Sequence, residues 1–109
     1  MTPRPSCALC QLRPAAGAFP ADPFTWRGLS DPSKPPQQIG DSWACCFRCA
    51  SFVADARWSE LADLTVAGAT TLRPELAQLG GALREEALAL HQRFHTARRN
   101  RLFEPFEPA

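Results

Sequence analysis

The sequence predicts a small α+β fold, and three observations lead to that prediction. Eight of the eleven prolines lie within residues 1–36, which favours loops and short strands because proline breaks helices. Residues 46–57 contain neither glycine nor proline, and residues 71–102 repeat apolar side chains at helical spacing. Four cysteines form two short pairs, one in each of these contrasting halves. A strand-containing half followed by a helical half is therefore expected.

The two cysteine pairs predict a metal site. Cys7 and Cys10 form one C-x-x-C pair, and Cys46 and Cys49 form the other. Four thiolates are the complete ligand set of a tetrahedral structural Zn²⁺ ion. We therefore expect one Zn²⁺ to be bound by all four. Such a site leaves no coordination position open for catalysis.

Other interpretations of the cysteines are less consistent with the sequence. Five cysteines is an odd number for disulfides, and no apolar signal segment follows the proline-rich start, so we expect a cytoplasmic chain with reduced thiols. A thioredoxin-like redox pair would need a βαβ pattern, which is absent. Rubredoxin-type iron sites usually have a glycine after each pair, and none follows Cys10 or Cys49. The cysteines could also be small buried apolar residues.

The fifth cysteine, Cys45, leaves alternatives open. It could replace Cys46 as a ligand with C-x-x-x-C spacing, but we expect it to pack beside Trp43 as a small apolar residue. A thiol-redox sensor using Cys45, Cys46 and Cys49 is a further alternative.

The apolar pattern predicts the elements and their division. Strands are expected at residues 16–20 and 24–28, a loop at 30–36, and helices at 46–57, from Ser59 to near Gly68, and at 71–102. The last helix could be divided at Gly80 and Gly81. We expect a zinc-binding domain over residues 1–68, followed by a helical arm with a Phe-Glu-Pro tail over residues 69–109. The tail is either a frayed end or a segment that docks its phenylalanines on a partner or on the protein itself.

The order of parts resembles that of treble-clef zinc folds over residues 7–58. More narrowly, residues 40–49, which include Trp43-x-x-Cys46-x-x-Cys49, are similar to a group of small uncharacterised actinobacterial and phage proteins. The aromatic-proline segment at residues 19–24 agrees with that group. The resemblance implies a zinc-stabilised treble-clef-like domain with a C-terminal helical extension. HNH endonucleases share this fold but require catalytic histidines, and the first 90 residues contain none. We therefore expect that this protein is not an enzyme.

The basic end of the last helix is a candidate nucleic-acid surface. Arg93, Arg98, Arg99 and Arg101 occur there without an intervening acidic residue and could contact phosphates of DNA or RNA. Alternatively, they complement the dipole at the end of the helix. His91 and His95, one turn apart, could bind metal, but the cysteine set is already complete.

The apolar side of the last helix is a candidate protein interface. Its members, expected to need a covering surface, are Leu76, Leu79, Leu83, Leu90 and Phe94. We expect the first half of this stripe to fold back on the zinc domain and the second half to pair with another copy of the chain or a protein partner. The net charge of only +1 argues against a strongly electrostatic partner, and no membrane partner is expected. The sequence thus predicts a non-catalytic, zinc-stabilised binding module that contacts nucleic acid, or alternatively a protein-interaction or oligomerisation factor, phage- or defence-related.

Overall fold

The structure, a computed structural model, describes residues 4–27 and 35–107. Five short strands and four helices follow one another in this part of the chain. The elements are β1 (Gly17–Pro20), β2 (Phe24–Trp26), β3 (Gln37–Ile39), β4 (Ser42–Cys45), α1 (Phe47–Ala54), α2 (Trp58–Leu72), a 3₁₀ helix (Pro74–Leu79), α3 (Gly81–Arg98) and β5 (Glu104–Pro105). The predicted mixture of strands and helices is confirmed. The predicted loop at residues 30–36 lies largely outside the described residues.

The strands form two small antiparallel sheets. In the first, β1 lies between β4 and β5, so that Phe19 is opposite Trp43 and Ala18 is opposite Glu104. In the second, β2 pairs with β3. The first sheet matters most for the site, because β4 leads directly into the second cysteine pair.

The helix boundaries differ from those predicted. Helix α1 begins after Cys46, as expected, but α2 starts after Arg57 instead of Ser59 and continues past Gly68 to Leu72. Residues 71–102 do not form a single helix, because this stretch contains the end of α2, the 3₁₀ helix and α3. The alternative of a division at Gly80 and Gly81 is confirmed, since α3 begins at Gly81. The residue before Pro74 is disfavoured in helical conformation, and Gly80 has a φ of 55°, which glycine adopts readily.

The second half of α3 belongs to the core. The ring of Phe94 is fully buried, with its centroid 5.7 Å from that of Phe19 and 4.6 Å from that of Trp43. The first half of the expected stripe is more exposed than the second. Phe94 thus fills the space over the β1–β4 pair and is not exposed for pairing with a second chain.

The described part of the tail is docked on the protein. Strand β5 pairs with β1, and the ring centroid of Phe103 lies 5.4 Å from that of Phe19. The frayed-end alternative is therefore wrong for residues 103–107. One buried cluster contains residues from both of the predicted regions, 1–68 and 69–109, and Phe103 packs against it.

Candidate metal centre

The first cysteine pair lies in a tight turn between residues 6 and 14. The amide of Cys7 donates to the carbonyl of Arg13 at 2.8 Å, and the amide of Gln11 donates to the carbonyl of Cys7 at 3.1 Å. Gln11 has a φ of 64°, which reverses the chain just after Cys10. The turn thereby directs both thiols to the same side.

The second pair is held by the junction of β4 and α1. Cys46 is the N-cap of α1, and its Sγ accepts a hydrogen bond from the amide of Cys49 at 3.5 Å. Amide groups at a helix N-terminus carry partial positive charge, which favours thiolate over thiol. The sequence-based expectation that this pair opens a helix is confirmed.

The four predicted ligands converge. The Sγ atoms of Cys7, Cys10, Cys46 and Cys49 all lie within 4.8 Å of one another, and all four residues are buried. The Cys10 and Cys46 sulfurs are 3.9 Å apart. A tetrahedron with Zn–S distances of about 2.3 Å has sulfur–sulfur edges of about 3.8 Å. The cluster therefore has the ligand type, number and spacing required by a metal ion such as zinc.

Burial and mutual hydrogen bonds shift the pKa values of the cysteine thiols in opposite directions. Hydrogen bonds from Cys45 and Cys49 lower the pKa of Cys7, and the same hydrogen bonds, together with burial, raise the pKa values of Cys45 and Cys49. Burial also raises the pKa of Cys46. Four thiolates at this spacing require a cation to offset their repulsion.

Cys45 lies beside the cluster but outside the set of four. Its side chain is fully buried, and its Sγ donates to the backbone carbonyl of Trp43 at 3.4 Å. The Cys45 thiol therefore has two possible acceptors, the carbonyl of Trp43 on β4 and the sulfur of Cys7.

Helix α2 supports the first pair through a contact that the sequence analysis missed. A Cβ atom added at Gly68 would overlap the backbone carbonyl of Cys10. The helix can approach the turn this closely only because residue 68 has no side chain. A glycine inside a helical pattern is a signal of close packing, but it does not identify the contacted residue.

The four candidate phosphate-binding arginines make contacts within the chain. Arg98 is only 8% exposed, lies 5.5 Å from the ring centroid of Phe19, and donates to the carbonyl of Arg101 at 2.8 Å. Arg93 lies 4.6 Å from the ring centroid of Phe24.

Asp22 is the acidic partner of this basic end. Arg101 donates to Asp22 Oδ1 at 2.8 Å and to the carbonyl of Ala97 at 2.9 Å, while Arg99 lies 3.6 Å from the other carboxylate oxygen. The hydrogen bond from Arg101 is the main cause that lowers the pKa of Asp22. Asp22 lies 79 residues from Arg101 in the sequence, so local sequence gave no signal for this pairing.

The two histidines do not join the cysteines. His91 is fully buried, and its Nε2 lies 3.2 Å from the hydroxyl of Thr65. Burial lowers its pKa to about 4. The His95 ring packs against Trp58, with centroids 5.0 Å apart. Among residues 4–27 and 35–107, the four-cysteine group is the one cluster with metal-ligand spacing.

Four members of the apolar stripe line an open cleft of about 310 Å³. These are Leu76, Leu79, Leu83 and Leu90. The other wall includes Trp26 and Ile39 from the β2–β3 hairpin, with Val66 and Ala69 of α2 at the base and Arg73 beside them. Phe94, the fifth predicted member, lies in the core instead.

No known protein family matches the chain, and neither a curated protein nor a solved structure matches it. Within the described ranges, every helix is too short or too polar to cross a bilayer.

Proposed function

We propose that this protein is a non-catalytic, zinc-stabilised binding module that receives an apolar helical segment of a partner protein in the cleft beside α3. The observation that carries this proposal is the convergence of Leu76, Leu79 and Leu83 with Trp26 and Ile39 around one open cavity.

Zinc is the metal that fits the four-cysteine cluster best. Thiolate ligands in a tetrahedral arrangement are typical of structural zinc sites. The order of a cysteine turn, antiparallel strands and a second pair at a helix N-terminus supports a treble-clef type of site. Four protein ligands complete the coordination of the ion, which supports a structural role and not a catalytic one.

The cleft has the properties of a helix-binding groove. Its volume of about 310 Å³ falls at the lower end of the range for ligand sites, which are mainly apolar with a few polar groups. The polar residues of the lining supply such groups: Gln11, Gln37, Thr65, Arg73 and Glu86. An amphipathic helix would insert apolar side chains at i, i+3, i+4 and i+7 spacing.

The basic end is a weaker candidate for the main interface. Three of its arginines are engaged by Asp22, by Phe19 or by backbone carbonyls, and the fourth lies over Phe24. Contacts of this kind orient the guanidinium groups within the chain. Nucleic-acid binding through this end therefore has less support than protein binding through the cleft.

A peptide library selection tests the cleft. Helix-forming peptides selected on the zinc-loaded chain should share leucine-like residues at helical spacing, and Leu79→Glu should abolish their binding. Leu79 is 36% exposed, so this charge should not unfold the chain. The control is Leu102→Glu, at a residue 79% exposed and outside the cleft.

Two outcomes would contradict the proposal. Selected peptides could bind Leu79→Glu as well as the unaltered chain. Alternatively, sedimentation could reveal a dimer that Leu79→Glu dissociates, which would identify a second copy of the chain as the occupant.

A further inference from the structure

The C-terminal segment occupies the free edge of β1 as an added strand. Gly17 is opposite Pro105 and Ala18 is opposite Glu104, and the amide of Phe106 donates to the carbonyl of Ala16 at 2.8 Å. This arrangement is the one by which extended peptides bind at sheet edges in other proteins. Here the peptide is the chain's own tail.

An aromatic surface beside the strand holds the tail. The ring centroid of Phe103 is 5.4 Å from that of Phe19 and 5.9 Å from that of Phe47. Phe47 remains 66% exposed. A second cavity, of about 490 Å³, lies between Phe103 and residues that include Ala54 and Leu102. The tail therefore fills only part of the available surface.

Gly17 permits the tail to approach β1 closely. A Cβ atom added at this residue would overlap the carbonyl oxygen of Glu104 and the ring of Phe103, and would lie 2.7 Å from the Cα atom of Pro105. All three of these nearest atoms belong to the tail. A strand can therefore pair with this edge of β1 only because residue 17 has no side chain.

The attachment of the tail is limited to a short segment. Arg101 is anchored to Asp22 and to backbone carbonyls, so the segment held by the β1 edge and the aromatic surface begins after it. Strand β5 pairs with two residues of β1, whereas β4 pairs with all four. A longer strand could use more of this edge.

We propose that the β1 edge is a binding site for an extended peptide of another protein with the order aromatic–acidic–proline, and that the tail is its built-in competitor. The sequence Phe-Glu-Pro occurs twice at the C-terminus, at residues 103–105 and 106–108, and the first copy shows the chemistry that the edge accepts. This site shares no residue with the leucine-lined cleft, so it does not depend on the function proposed for that cleft.

Competition by the tail sets the expected affinities. A tethered ligand acts at an effective concentration in the millimolar range, so a free peptide binds the unaltered chain weakly. Removal of the Phe103 ring loosens the tail and leaves the groove intact. The peptide should then bind at least about tenfold more tightly.

The experiment uses the full-length, metal-loaded chain and a labelled peptide with the sequence of residues 102–107, Leu-Phe-Glu-Pro-Phe-Glu. Phe103→Ala and Gly17→Ala should both speed amide exchange in residues 103–107, because both release the tail. Phe103→Ala should bind the peptide more tightly than the unaltered chain. Gly17→Ala should not bind it, because the added Cβ blocks the edge.

Unchanged metal content in both variants shows that the fold is retained. The proposal is overturned if Phe103→Ala gains no affinity for the peptide, or if Gly17→Ala binds it as tightly as Phe103→Ala. It is also overturned if the unaltered chain forms a dimer that Gly17→Ala abolishes, since the occupant would then be the tail of a second copy.

Discussion

The backbones of Gly68 and Cys10 are in contact, and this contact connects α2 to the candidate metal centre. A Cβ atom at residue 68 would overlap the carbonyl oxygen of Cys10. Since the carbonyl belongs to a turn constrained by two hydrogen bonds and a predicted metal ligand, it cannot move freely. The position of α2 and the geometry of the first cysteine pair are therefore interdependent.

Gly68→Ala should destabilise the protein although alanine is the better helix former. Overpacking costs about 1–3 kcal/mol, which exceeds the gain of up to about 1 kcal/mol in helix propensity. We expect a lower free energy of unfolding in denaturant and weaker metal retention against a chelator. The control is Gly81→Ala in α3, where the added Cβ meets no atom within 4 Å and stability should be unchanged or higher. Equal effects of the two substitutions would contradict the role of the contact.

Loss of one ligand should release the metal. Cys46→Ser removes one of four sulfurs and should unfold residues 4–27 and α1, because metal binding and folding are coupled in small sites of this kind. Cys45→Ser should keep one Zn²⁺ per chain, since its Sγ lies outside the set and a hydroxyl can still donate to the carbonyl of Trp43. Elemental analysis and circular dichroism measure both effects. A folded, reduced sample of the unaltered chain without metal would contradict the site.

Acid should destabilise the protein partly through His91. The folded-state pKa of about 4 lies below the usual value of about 6.5, so the unfolded chain binds more protons between these pH values. Stability contributed by neutral His91 is therefore present above about pH 6.5 and is lost as the pH falls towards 4. Between pH 7 and 5 the loss should be about 2 kcal/mol.

The variant His91→Gln isolates this effect. Glutamine does not titrate and can still contact the hydroxyl of Thr65, while protonation of the cysteines affects both proteins alike. The free energy of unfolding should therefore fall less with acid in the variant than in the unaltered chain. Identical pH profiles would show that His91 does not titrate as its burial predicts.

The basic end should contribute to folding more than to phosphate binding. Arg98→Gln and Arg101→Gln should lower stability, because they remove contacts to Phe19 and Asp22, whereas Arg99→Gln, at a side chain that is largely exposed, should not. We expect no binding to DNA or RNA at about 50 mM salt.

A titration of nucleic acid checks that expectation. If binding occurs and its salt slope flattens by about 0.9 for Arg93→Gln or Arg99→Gln, these residues contact phosphates. Protein binding through the cleft would then not be the only function of this chain.

The sequence by itself determined the features that depend on local spacing. Two C-x-x-C pairs specified which four sulfurs could share a metal ion, because the side chains of each pair are brought together by a single turn. Residues 46–57 contain neither glycine nor proline, and this stretch indicated that a helix begins near Cys46. The regular recurrence of Leu76, Leu79 and Leu83 indicated an apolar surface, although these residues lie on two successive helices and not on one.

Only the tertiary structure decided which distant surfaces meet. It buried Phe94 between Phe19 and Trp43, paired Arg101 with Asp22, and laid the tail along β1. A charge or apolar pattern indicates that a residue requires a partner but does not identify it, because the partner depends on how all the elements pack. The same holds for Gly68, whose role follows from the position of Cys10 in space and not from its place in a helix.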